Sequence, residues 1–124
     1  MKPGVLLTGT TILTGLCLTL HVADDIARGM DTIGLHSLAA ILVLGLWLYG
    51  ALVLSGRVWG YILQLLLALM GLGIVFIHLK GAHIGQVATS SGGVLFVWTL
   101  FVLGATSTLA MLLCVQGLLA LRRG

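Results

Sequence analysis

The chain has 124 residues, of which 60% are hydrophobic and 7% are charged, and its mean hydropathy is +1.23. Because a soluble domain carries about 25% charged residues, this composition excludes an ordinary soluble domain and indicates a single integral membrane domain over residues 1–124. The formal net charge is +3, but the basic residues are scattered apart from Arg122–Arg123, so no basic run predicts binding to nucleic acid.

Four apolar segments follow one another along the chain, at about residues 4–23, 33–54, 58–79 and 94–121. Each reaches the roughly 20 residues that a helix needs to cross about 30 Å of hydrocarbon. None alternates between apolar and polar residues as a transmembrane strand does. The pattern predicts an all-α fold, namely a four-helix transmembrane bundle whose short loops favour an antiparallel up-down-up-down arrangement.

The first segment follows Met1–Lys2, as the apolar part of a signal peptide would. The residues before Asp24 are His21-Val22-Ala23, which lack the small-x-small pattern of a cleavage site. We therefore expect a retained helix.

The connections between the segments differ in length. Residues 24–32 form a short polar loop, and Ser55-Gly56-Arg57 forms a tight turn that makes a hairpin of the second and third helices. Residues 80–93 are rich in glycine, serine and threonine, and we expect this loop alone to be long enough to move.

The basic side chains predict an orientation in the membrane. One side of the bundle would hold Lys2, Arg57, Arg122 and Arg123, and the other Arg28, Lys80 and all three aspartates. Because lysine and arginine favour the cytoplasmic side, the sequence predicts a multi-pass protein of a bacterial inner or plasma membrane. Both termini would be cytoplasmic, and the loops that carry histidine and aspartate would lie outside.

Small and polar residues recur at three- or four-residue spacing and predict the buried faces of three helices. These are Thr11, Thr14, Cys17 and His21 in the first, Gly60, Gln64, Ala68, Gly71 and His78 in the third, and Thr99, Thr106, Ala110, Cys114 and Gly117 in the fourth. Gln64 and Gln116 would lie at similar depth, which predicts a structural hydrogen bond between them.

The titratable side chains gather at the predicted outer side. His21, Asp24 and Asp25 share one helix face at positions i, i+3 and i+4. Imidazole and carboxylate groups together suit a divalent transition metal, and two histidines at equal depth, such as His36 with His78, would suit haem. The predicted metal ligands are His21, Asp24, Asp25, His36, His78 and His83. Under the alternative, the aspartates cap and solvate a loop, with Asp31 at the start of the second helix, and the histidines bond neighbours or lipid headgroups.

Three functional hypotheses follow. The first is an accessory or structural subunit of a membrane assembly, with other membrane subunits or further copies of the chain as partners. The second is a metal- or haem-binding membrane module built on the outer histidines and aspartates. The third is a component of a small-solute transporter or channel, although no ionisable group lies near the bilayer midplane, where transport sites usually sit. No nucleophile stands beside a base in a known catalytic motif, so we expect no enzyme.

Overall fold

The computed structural model describes residues 3–29, 34–80 and 84–123, with the backbone alone at positions 3, 35–37, 84 and 86. The elements are α1 (Pro3–Ala27), α2 (Leu35–Leu52), α3 (Val58–Lys80), α4 (Ile84–Ala88) and α5 (Gly93–Arg123). No strand occurs within these ranges. The all-helical prediction is confirmed, with four long helices and one short helix that was not expected.

Three of the long helices are apolar and long enough to cross a membrane, namely α1, α3 and α5. The fourth, α2, has a shorter apolar stretch, Leu38–Leu52. The helix α2 ends at Leu52, two residues before its predicted end at about residue 54. The amides of both Val53 and Leu54 bond to the carbonyl of Tyr49, which ends the helix, and Gly56 then turns the chain with φ of +75°.

The helix α1 is longer than predicted, which moves Asp24 and Asp25 from a loop into the helix. The backbone amide of Arg28 bonds to the carbonyl of Asp24 at 3.0 Å, and the Arg28 guanidinium pairs with the Asp24 carboxylate one turn back. Pairs at this i, i+4 spacing stabilise a helix end. Within the predicted loop at residues 80–93 the described part contains α4, which packs on α5; the mobility of this loop stays a prediction.

The core lies where α5 packs against α1 and α3, and α2 closes the bundle against α1 and α3. Most of the predicted interior positions are buried, namely the predicted α1 residues and Gly60, Gln64, Ala68, Gly71, Thr99, Thr106, Ala110 and Cys114. His78 is only partly buried. Gly117 is half-buried against the ring of Tyr61. Both cysteines are free, and more than half of the exposed large hydrophobic residues in the described ranges are leucines.

The predicted hydrogen bond between Gln64 and Gln116 is not formed among the described residues. The Gln64 amide instead donates to the Trp47 carbonyl at 2.8 Å and accepts from the Thr11 hydroxyl at 3.1 Å. Gln116 is exposed, because it follows the buried Cys114 by two positions and so points away from the buried face of α5. Gln64 therefore links α3 to α1 and α2, not to α5.

Candidate metal centre

The side chain of His21 is almost fully buried, with 1% of its surface exposed. Its Nδ1 lies 3.2 Å from the hydroxyl oxygen of Thr99 on α5. That hydroxyl has one proton and donates it to the carbonyl of Phe96 at 3.0 Å, so it can only accept from His21. This hydrogen-bond network assigns the His21 proton to Nδ1 and leaves a lone pair on Nε2 in the neutral imidazole.

The same assignment holds for His78, near the end of α3. Its Nδ1 lies 2.8 Å from the carbonyl oxygen of Ile74, one turn earlier. A carbonyl oxygen accepts but cannot donate, so Nδ1 carries the proton. The Nε2 of His78 is therefore also a lone-pair donor when the ring is neutral.

The Nε2 atoms of His21 and His78 both face the carboxylate of Asp25. The Oδ2 atom of Asp25 lies 3.9 Å from His21 Nε2 and 3.7 Å from His78 Nε2. Each of the three side chains offers one ligand atom, and these atoms all lie within 4.8 Å of one another. His21 Nε2 is buried and has no hydrogen-bond partner in the described part of the chain. We call His21, Asp25 and His78 the His/Asp cluster; it concentrates electron-pair donors that a cation would satisfy.

The spacing is slightly wider than that of a loaded site. Ligand atoms bound tetrahedrally at about 2.0–2.2 Å lie roughly 3.3–3.6 Å from one another. An ion would therefore draw the three groups together by between a few tenths of an ångström and about 1.5 Å. Small rotations of the Asp25 and His78 side chains can supply much of this contraction, because both are partly exposed.

Aromatic packing closes the inner side of the cluster. The rings of His21 and His78 meet edge to face with centroids 4.9 Å apart, and the buried Phe96 ring lies 4.8 Å from His21 and 5.7 Å from His78. The side chain of Asp25 is 17% exposed and that of His78 28%. The cluster is thus closed toward the bundle interior and open on the opposite side.

Arg28 joins the end of α1 to the turn that precedes α5. Its Nε donates to Asp24 Oδ2 at 2.7 Å, and its Nη1 donates to the Ser90 hydroxyl at 2.9 Å and to the Ser91 carbonyl at 3.2 Å. We call this group the Arg28 latch. Asp24 is held by the latch and is not one of the three side chains of the His/Asp cluster, so its role as a ligand stays a prediction.

Of the six predicted ligands, the structure brings together His21, Asp25 and His78. His36 lies in the first turn of α2, but its side chain is outside the described residues, as are His83 and the predicted cap Asp31. The predicted haem ligation by His36 and His78 therefore lies outside the described residues. Sequence reasoning missed Thr99 as the partner of His21, although it placed Thr99 on a buried face.

No family model, no curated protein and no solved structure matches this chain.

Proposed function

We propose that the chain is an integral membrane protein whose long helices run up and down in turn, with both termini in the cytoplasm. Three helices with sufficient length and hydropathy support insertion. The contacts between α1 and α2 support an antiparallel order, since the Thr8 hydroxyl bonds to the Ala51 carbonyl while Gly15 lies beside Leu44. Arg57 and Arg122–Arg123 would then lie on the cytoplasmic side.

We further propose that this protein binds a divalent transition metal through His21 Nε2, His78 Nε2 and the Asp25 carboxylate. The observation that carries the proposal is the fixed direction of both imidazoles. The Thr99 hydroxyl oxygen and the Ile74 carbonyl oxygen accept hydrogen bonds from the two Nδ1–H groups, so both Nε2 lone pairs face one carboxylate. Outer hydrogen bonds of this kind orient histidine ligands in metal sites.

The ligand set indicates the class of metal. Two imidazole nitrogens and one carboxylate oxygen suit zinc, iron(II), cobalt(II) or nickel(II) better than calcium or magnesium, which prefer oxygen ligands alone. Three protein ligands leave at least one coordination position for water or another molecule, and the partly exposed side of the cluster is where that molecule would enter. His21 and His78 themselves are unsuited to sandwich haem, because their rings already touch.

Metal analysis of the purified protein tests this proposal. The protein would be extracted in neutral detergent, stripped with chelator, and incubated with zinc or cobalt(II) before gel filtration. We expect one metal ion per chain by mass spectrometry, and a visible cobalt absorption typical of a four-coordinate site. His21→Gln, His78→Gln and Asp25→Asn should each lower the affinity at least about tenfold.

The adjacent carboxylate gives a matched control. Asp24→Asn removes the same charge one residue away but leaves the three ligand atoms in place, so the metal stoichiometry should be retained. Equal metal loss in Asp24→Asn and Asp25→Asn, or the absence of stoichiometric metal in the wild-type protein, would refute the site. The His/Asp cluster would then be a structural contact, and the accessory-subunit hypothesis would become the leading proposal.

A further inference from the structure

An apolar groove of about 410 Å³ runs between the start of α3 and the end of α5. Its volume lies within the roughly 300–1,000 Å³ of ligand sites. The walls come from two helix faces, with Val58 and Ile62 on α3 and Val115, Leu118, Leu119 and Arg122 on α5. Leu121 of α5 also lines the groove. The other four α5 residues follow the i, i+3, i+4, i+7 pattern, so one apolar stripe ends in a guanidinium group.

This end of the bundle is cationic. Arg57 precedes Val58 directly, and Arg123 follows Arg122; all three arginines are exposed. The only acidic residues in the sequence are Asp24, Asp25 and Asp31. Asp24 belongs to the Arg28 latch, which contacts Ser91 just before α5. Arg122 lies 29 positions after Gly93, or about 44 Å at 1.5 Å per residue, too far for either described aspartate to neutralise it.

The groove and the charge together fit one kind of molecule. We infer that the groove binds an anionic phospholipid, with an acyl chain along Ile62, Val115 and Leu119 and the headgroup phosphate on Arg122. Basic pockets between membrane helices on the cytoplasmic side bind anionic headgroups. The inference rests on the proposed membrane insertion and is independent of metal binding at the His/Asp cluster.

The length of α5 places Arg122 at the right level for a phosphate. The helix has 31 residues, or about 46 Å at 1.5 Å per residue, whereas the hydrocarbon layer is about 30 Å thick. A helix of this length carries its last turns into the headgroup region. The methylene stem of an arginine there packs on apolar neighbours while the guanidinium meets phosphate.

Lipid binding to the intact protein tests the inference. Protein from alkaline-washed membranes, in which integral proteins remain, would be purified in neutral detergent and titrated with dioleoylphosphatidylglycerol or dioleoylphosphatidylcholine under native mass spectrometry. We expect one phosphatidylglycerol to bind at least about fivefold more tightly than phosphatidylcholine, the factor that one arginine contributes at a membrane surface. Arg122→Gln should remove about fivefold of that preference, whereas Lys80→Gln, with the same charge change at the other end of α3, should retain it.

The proposed position of the acyl chain is tested by filling the groove with a larger side chain. Val115 and Leu109 are both 41% exposed, but only Val115 lines the groove. Val115→Trp should abolish the single tight lipid, and Leu109→Trp should leave it bound. Equal affinity for the two lipids, an unchanged preference in Arg122→Gln, or retained binding in Val115→Trp would each overturn the inference. Loss of the protein from the alkaline-washed membranes would instead refute membrane insertion. Failure of the proposed insertion is thereby distinguished from failure of the lipid-binding inference.

Discussion

The hydroxyl proton of Thr99 determines which ring nitrogen of His21 carries a proton. Since Thr99 donates to the Phe96 carbonyl, it accepts from Nδ1 of His21, and the buried Nε2 is left with its lone pair. All three members of the cluster are among the six ligands predicted from the sequence, because His21 and Asp25 are one turn apart and His78 ends an apolar segment. The choice of Asp25 over Asp24 did not, because it depends on Arg28 and on two serines more than 60 residues away.

Thr99→Val should weaken the metal site without removing a ligand. Valine has nearly the same shape but offers no acceptor, so the His21 ring loses the contact that fixes its proton and its direction. We expect the metal affinity to fall about 10- to 100-fold, with one metal per chain still bound at saturation, as measured by competition with a chromophoric chelator. Thr108→Val is the control, because Thr108 is exposed and bonds only to its own helix. Equal affinities in the two variants would contradict the role of Thr99.

Gln64→Leu should destabilise the bundle, and Gln116→Leu should not. Gln64 is buried and bonds to Thr11 and to the Trp47 carbonyl, whereas Gln116 is exposed. We expect Gln64→Leu to lower the free energy of unfolding in detergent by about 0.6–2 kcal/mol. If the two variants lose stability equally, the pairing expected from their similar depth would regain support over the observed hydrogen bonds.

At the scale of helices, hydropathy and spacing were sufficient to place four long helices and the buried faces of three of them. Several threonines on these helices, including Thr14, Thr19 and Thr106, bond to a carbonyl four residues earlier, so an apolar helix can carry them without leaving their hydroxyl groups unsatisfied. The helix ends were less predictable. The extension of α1 depends on a side-chain ion pair, and α4 has only five residues, too few for a periodic pattern.

Close packing of α5 on α3 requires glycine at position 117. A Cβ atom there would collide with the rigid ring of Tyr61, whereas a Cβ at Gly104 would make ordinary contacts with Val75. Gly117→Ala should therefore lower stability by about 1–3 kcal/mol. Gly104→Ala in the same helix should be neutral or slightly stabilising, because alanine favours helix. Thermal unfolding of the two variants in one detergent would show the contrast, and equal transition temperatures would count against this packing.

For the molecule as a whole, the charge distribution predicts a single topology. Thr89→Cys, beside α4, should react with a membrane-impermeant maleimide in intact cells, and Ser55→Cys should react only after permeabilisation. The native Cys17 and Cys114 are buried, so the wild-type protein serves as the unlabelled control. Labelling of position 55 but not 89 in intact cells would invert the proposed orientation, and labelling of both would contradict an alternating arrangement.

The Arg28 latch joins the end of α1 to the turn before α5 across 62 residues of sequence, and the His21–Thr99 bond joins α1 to α5 across 78 residues. The three proposed ligands are all present once α3 has been synthesised, but the group that orients His21 belongs to α5. During synthesis, the nascent chain would therefore present two histidines and an aspartate without their final geometry. Full affinity would arise only when the last helix docks, so tight metal binding would report that folding is complete.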